Sequence, residues 1–303
     1  MDKFKAMSVF VRIVDAGSLT GAAERLGISL TAVVRSLAGL EQELGVRLLN
    51  RTTRRIALTD EGREYFERCR RLLAELEEAE NALTDRRLTP SGRLAITAPV
   101  MFGRLHVAPV VTDFLAAYPE MRAELLLLDR VIDLLEEGID LAIRIGPLPD
   151  SSLVAIPLGS TDRAICASPD YLASNGVPQH PRDLANHRVI RFTALSDGNE
   201  WSFARGNETQ RINVADVFAA NQVDVALDAC RKGLGCGRFL GYQVRDLEAD
   251  GQLVRVLPDW QLPPIEVSLV YPHSRLLSPR IRAFVDWAVP RLRERLAAAR
   301  TGP

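Results

Sequence analysis

The sequence predicts a multi-domain chain: a helical head with a small two-stranded wing over residues 1–59, one long helix over 60–90, and an α/β region over 91–303. Three observations lead there. Two short helical segments meet at a glycine turn around Gly27. Between Thr59 and residue 87, apolar residues recur at alternating spacings of three and four amid charge. Beyond the breakers Pro90 and Gly92, short apolar runs alternate with helix-length segments, the pattern of α/β units with a mainly parallel sheet.

Gly17–Leu26 reads as a short helix capped by Ser18, with Leu19, Ala22, Ala23 and Leu26 on one face. Gly27 supplies a left-handed turn, and Ser29 caps the next helix, where Val33, Leu37, Leu40 and Leu44 form the inward stripe. Leu30, Thr31, Val34, Arg35 and Ala38 lie opposite. Two helices joined this way form either a plain helical hairpin or a helix-turn-helix, whose second helix enters the major groove of DNA. The following Arg47–Thr59 favours the second reading. It fits a two-stranded wing whose tip, Arg51, Thr52, Thr53, Arg54 and Arg55, concentrates phosphate-binding side chains. From Lys3 to Arg55 there are nine basic residues against six acidic ones, counting the bounding Asp2 and Asp60. The whole chain, with 38 basic and 39 acidic residues, carries a net charge of −1, which argues against non-specific coating of nucleic acid.

Thr59 caps the long helix, with Asp60 and Glu61 at the positive end of its dipole. Phe66, Cys69, Leu73, Leu76 and Leu83 make an interrupted coiled-coil seam, the candidate dimerisation face; a helix packed on its own domain is the alternative. In the α/β region the expected order is strand 93–97, helix 102–117, strand 122–128, helix 131–137 and strand 140–145. A second set follows from Arg163, then a strand over 266–271 and a closing helix over 279–299. The turn Thr97–Gly103 places backbone N–H groups at a helix start, and Arg144 near a strand end requires an acidic partner, either a protein carboxylate such as Asp129 or a ligand acid. Gly233–Arg238 lacks the third glycine of a dinucleotide loop and reads as a tight helix-to-strand turn.

No catalytic constellation emerges from the scattered His106, His180, His187 and His273, and the four cysteines have no metal or disulfide spacing. The chain is therefore read as no enzyme, with neither cofactor nor metal. With no signal-peptide core and apolar runs such as Leu125–Leu128 too short for a membrane, it is read as cytoplasmic, without a membrane partner.

Residues 1–87 resemble the DNA-binding region of LysR-type transcriptional regulators. The matching residues include Phe10, Gly17-Ser18, Ala22-Ala23, Leu26, Ser29, Ala32-Val33, Leu40-Glu41, Leu44-Gly45, Leu48, Arg51 and Leu58-Thr59 with Gly62. Asn50–Arg55 and Asp140–Gly146 resemble the CrgA-like branch, and the likeness extends over essentially the whole chain. It implies an all-α winged helix-turn-helix reading promoter DNA, and a linker helix that pairs subunits into dimers, tetramers or larger rings. It further implies an α/β periplasmic-binding-protein-like (type 2) effector domain. Its subdomain I would span about 91–162 and 266–303, and subdomain II about 163–265. The candidate DNA-binding residues are Ser29, Leu30, Thr31, Val34, Arg35 and the wing tip 51–55. A small, anionic effector is expected between the subdomains, at Pro99, Val100, Met101, Phe102, Arg144, Gly146, Phe192, Thr193 and Asn221. Leu30 and Val34 stand where the family usually has polar residues. They are expected to read thymine methyl groups, unless they extend the core instead. A solute-binding protein or an α/β enzyme without a DNA role is the alternative, and accounts for only the second half of the chain.

Overall fold

The computed structural model describes residues 2–51, 56–84, 90–148, 153–194, 198–273 and 278–300; the side chains of Arg51 and of most of the long helix beyond residue 73 are outside that description. The chain forms two compact units, Met1–Leu88 and Thr89–Pro303.

In the first unit, helix α1 (Lys3–Ala16) starts at Asp2, whose carboxylate accepts from the Lys5 N–H at 3.1 Å. Helix α2 (Leu19–Leu26) is capped by Ser18 and closed by Gly27 at φ 64°, and α3 (Leu30–Leu44) is capped by Ser29 and closed by Gly45 at φ 72°. Both stops use the left-handed region that glycine enters without Cβ strain. Strands β1 (Leu49–Arg51) and β2 (Ile56–Leu58) pair antiparallel as the wing. The Glu41 carboxylate fastens the wing to α3 by accepting from the N–H groups of Leu48 (2.9 Å) and Leu49 (3.3 Å). Helix α4 (Asp60–Thr84) begins at Thr59, whose hydroxyl accepts from the Gly62 N–H at 2.9 Å. A Cβ on Gly62 would lie 1.9 Å from the Leu48 carbonyl oxygen, so this position requires glycine. Phe10, Ile13, Ala22, Val33, Leu37, Leu40 and Leu48 form the core, with Phe66 and Cys69 of α4 inside it.

The second unit holds two five-stranded sheets. The first is built from β3 (Gly92–Ala98), β4 (Met121–Leu127), β5 (Leu141–Ile145), β6 (Leu153–Thr161) and, much later in the chain, β14 (Ile265–Pro272). Their spatial order is β4-β3-β5-β14-β6. One helical stretch leads away from β3: α5 (Val100–Phe102), a π-turn over Gly103–Val107, and α6 (Ala108–Ala117). It reaches a mean hydropathy of 1.3 over 18 residues, longer than the apolar runs that the sequence reading weighed. Its Phe102, Val107, Val110 and Phe114 are packed in the core beneath this sheet, which accounts for the apolarity.

The second sheet comprises β7 (Arg163–Ala167), β8 (Val189–Phe192), β11 (Asp216–Ala220), β12 (Cys236–Leu240) and β13 (Val254–Val256), in the order β11-β8-β12-β7-β13. Between β8 and β11 the hairpin β9 (Glu200–Arg205) and β10 (Glu208–Asn213) buries Trp201 and Phe203. Helices α7 (Pro169–Asn175), α8 (Val223–Arg231) and α9 (Gly241–Ala249) complete this half, and α10 (Pro279–Arg300) returns to the first sheet's core.

Two expectations are corrected. Each sheet has two parallel and two antiparallel pairings rather than a mainly parallel ladder, because β14 and β7 run against their neighbours. The helix expected over 131–137 is a series of turns. Asp133 accepts from the N–H groups of Leu135 and Glu136, a local turn that competes with helix, and Gly138 at φ 68° ends the segment.

Candidate DNA-reading helix and effector cleft

On α3 the inward stripe is Val33, Leu37 and Leu40, with Leu44 half-buried. The opposite face presents Leu30, 45% exposed, together with Thr31, Arg35 and Ala38; Val34 is half-buried at its margin. Ser29 spends its hydroxyl on the Ala32 N–H. Arg51 lies at the end of β1, while Thr52, Thr53, Arg54 and Arg55 lie outside the described residues.

The seam expected on α4 is corrected at its start. Phe66 and Cys69 are 7% and 0% exposed, and Phe66 meets Phe10 edge-on at a centroid distance of 6.3 Å. Leu73 is half-buried against the same core. These side chains are consumed by their own unit, so they are not available to a second subunit. Of the expected seam Leu76 is exposed, at 39%, as is Leu72, which the seam did not include, at 49%. The side chain of Leu83 lies outside the described residues.

In the second unit a cleft of about 110 Å³ opens where the carboxyl ends of both sheets' parallel strands converge. In each sheet two adjacent parallel strands, β3 and β5 or β8 and β12, send their connections in opposite directions, and a crevice forms outside the strand ends at such a point. From the first sheet come Ala98 and Pro99 after β3, Leu128 and Asp129 after β4, and Arg144 and Ile145 of β5. The second sheet contributes Phe192, Ala194 and Leu240, with Tyr242 and Gln243 at the start of α9.

Arg144 is half-buried and donates to the Ile132 carbonyl at 2.7 Å. Burial pulls its guanidinium below the ordinary value, partly offset by Asp133. Asp129 does not pair with it. Instead one Asp129 oxygen accepts from the Val100 N–H at 3.0 Å, so the helix start expected to bind an external anion is already capped by a protein carboxylate. The other oxygen, Oδ2, is shielded from solvent and has no hydrogen-bond partner among the described residues. Burial raises the Asp129 pKa, the Val100 N–H opposes the shift, and the nearby Asp224 adds to it.

Of the predicted pocket residues, Pro99, Arg144 and Phe192 line the cleft. Met101 and Phe102 do not: their side chains turn into the cores of the second and first sheets. Val100 contributes its backbone N–H to Asp129, while Gly146, Thr193 and Asn221 lie outside the lining. Asp129, Ile132, Tyr242 and Gln243 were missed as lining residues. Asp129 was signalled by its strand-end position, but nothing local marks Tyr242 or Gln243. Beneath the cleft Tyr242 meets Phe102 at 5.4 Å and His106 at 5.5 Å. His106 is held neutral, its pKa lowered to about 4 by burial first and then by Arg295 and Arg245. The glycines of Gly233–Gly237 are structural: Gly233 adopts φ 76°, and a Cβ on Gly235 would lie 2.3 Å from the Arg188 carbonyl. Among the described residues no cluster of metal-ligating side chains occurs.

Comparison with known proteins agrees with both halves. Residues 4–63 match the bacterial regulatory helix-turn-helix protein, lysR family, and residues 87–293 match the LysR substrate binding domain. An HTH-type transcriptional repressor of Pseudomonas aeruginosa is 40% identical over 291 residues, covering 95% of this chain and 92% of its own. The HTH-type transcriptional regulator CrgA of Neisseria meningitidis is 34% identical, covering 94% and 96%. Its solved structure superposes with a TM-score of 0.61 at 32% identity, over 95% of this chain and 98% of that one. The full-length Vibrio cholerae virulence activator AphB gives 0.60 at 30%, over 95% and 99%. The chain belongs to the LysR family of transcriptional regulators, DNA-binding proteins whose promoter binding a small-molecule effector modulates.

Proposed function

We propose that this regulator acts in the cytoplasm as a dimer that reads a two-fold operator with α3, assembles further into tetramers, and responds to a small acid held at Arg144. The observation that carries the DNA half is the outward face of α3, with Leu30, Thr31 and Arg35 exposed beside a wing fastened by Glu41. Arg51, Thr52, Thr53, Arg54 and Arg55 contact phosphates in this reading, and Leu72 and Leu76, not Phe66 and Cys69, continue the subunit seam. For the effector half, the support is a cleft-lining guanidinium whose one hydrogen-bond partner among the described residues is a neutral carbonyl.

The experiment is a gel shift with DNA from upstream of the gene, run across salt. Replacing Arg51, Arg54 or Arg55 by Ala should weaken all sequences alike and lower the salt slope by about one unit. An altered preference at a single base would refute the phosphate role. Leu30 and Val34 read thymine methyl groups: uracil in place of thymine, or Val34→Ser, should each cost on the order of 1 kcal/mol, and together less than the sum. A Val34→Ser head that melts early while uracil DNA binds unchanged would put Val34 in the core.

A further inference from the structure

Two charged groups of opposite sign in the cleft, Arg144 and Asp129, have bonding capacity unspent among the described residues. The other polar side chains of the lining bond within the protein, the Tyr242 hydroxyl as an acceptor. Thr97 donates to the Leu126 carbonyl at 2.7 Å, and Gln243 accepts from the Leu240 N–H at 2.9 Å and donates to the Tyr242 hydroxyl at 3.4 Å. Arg130 is exposed and pairs with Glu137 at 3.0 Å. Arg144, by contrast, has one hydrogen bond to a neutral carbonyl and no ion pair among the described residues, although a guanidinium offers five donors. Asp129 Oδ2 has neither a donor nor solvent. A buried acceptor left without a donor keeps its full desolvation cost, which is larger when the group is charged.

Resting on the reading of this cleft as the effector site, we propose that the effector is a small zwitterion, an amino acid-like molecule whose acid group pairs with Arg144 and whose ammonium group donates to Asp129 Oδ2. A plain acid would satisfy Arg144 but leave Asp129 orphaned and bring a second negative charge near it. A plain amine would leave the guanidinium unanswered. A hydroxy acid would supply a donor without charge, whereas this end of the cleft also feels the exposed Asp224 carboxylate, which favours a cation. The ligand also bears on the fold: the same Asp129 side chain caps the helix at Val100, so the group that reads the ammonium is held in place by its other oxygen.

The test is calorimetric titration of the full chain with butanoate, the three aminobutanoates, the matching hydroxybutanoates and butylamine, four-carbon probes on the scale of a 110 Å³ cleft. At least one aminobutanoate should bind ten-fold or more tightly than butanoate and than its hydroxy counterpart, and butylamine should not bind. Asp129→Asn keeps an oxygen for the Val100 N–H but turns the other atom into a donor. It should erase the ten-fold preference from both sides, weakening the aminobutanoate, whose ammonium loses its carboxylate partner, and tightening butanoate, which no longer faces a second negative charge. Equal binding of butanoate or of the hydroxy acid, an Asp129→Asn protein that keeps the preference, or a panel in which nothing binds would each overturn the proposal. Operator affinity measured with and without the bound aminobutanoate is a separate readout. A ligand that binds with this selectivity but leaves DNA binding unchanged would sink the regulatory reading and not the zwitterion.

Discussion

The two sheets of the second unit share one plan and differ in what they bring to the cleft. In each, one strand has a parallel neighbour on both sides, followed by two antiparallel pairings on one flank. Yet the charged residues of the lining, Asp129, Arg130 and Arg144, all come from the first sheet, while the second supplies Phe192, Ala194, Leu240, Tyr242 and Gln243. Charge recognition is one-sided. A neutral wall facing a charged one loses little hydration when the cleft fills, and a low-dielectric surface beside Arg144 strengthens whatever ion pair forms there.

The supporting interiors differ in another way, which can be broken most forcefully: the first sheet has a buried ion pair. Behind the first sheet, the buried Asp140 accepts from the Ala95 N–H at 2.9 Å and pairs with the buried Arg280 at 3.5 Å. In the second, the buried Arg238 lays its guanidinium over the Trp201 ring at 4.8 Å, and the neutral Gln243 accepts from the Leu240 N–H. Asp140→Ala removes a buried carboxylate from the Arg280 guanidinium and the Ala95 N–H and should destabilise the chain by about 3–5 kcal/mol, against about 1–3 kcal/mol for Gln243→Ala, by urea denaturation. Equal losses would mean that the ion pair is incidental.

The next largest effect depends on pH. His106 has a folded pKa of about 4 against an ordinary 6.5, so the unfolded chain binds the proton first as pH falls. The neutral-state packing is therefore fully present above pH 6.5 and is lost progressively down to about 4, with a slope on the order of 1 kcal/mol per pH unit. His106→Gln should flatten that acid limb in melts taken from pH 7 to 4. An unchanged limb would place the acid sensitivity elsewhere. The smallest effect concerns Arg130, the exposed member of the charged wall. Glu137→Gln removes its partner and should cost about 0.2–1 kcal/mol, with no change in acid binding. A ten-fold change in acid affinity would make Arg130 a reader alongside Arg144.

Legibility in the sequence followed how local each feature is. The caps at Ser18, Ser29 and Thr59 and the stripe Val33–Leu37–Leu40 were readable because each is settled within one or two helical turns. Phe66 and Cys69 were misassigned for a related reason. A three-and-four spacing fixes which face of a helix is apolar but not which surface covers it, and here α1 does so through Phe10. The cleft was only partly readable, since its lining is gathered from strand ends scattered between Thr97 and Gln243. Arg144 stood out as a cation on an apolar strand. Tyr242 and Gln243 follow a strand that the sequence reading did not separate from the preceding glycine turn, so nothing pointed to them. The turns at 131–137 escaped because Asp133 redirects the backbone through its own side chain, and that redirection lets the Ile132 carbonyl accept from Arg144.

The π-turn at Gly103–Val107 changes how this chain should be aligned with others. The Ala108 N–H reaches back five residues to Gly103, so the turn accommodates one residue more than an α-helix would. Phe102 before it and Val110 and Phe114 after it are all buried in one core, although they belong to two different helical phases. In evolutionary terms the turn behaves as a one-residue insertion already absorbed by the fold, with the partly exposed Leu105 inside it. A homologue with a straight helix here should align with a single gap between Gly103 and Val107, and an ungapped alignment would rotate every core position downstream by about 100°.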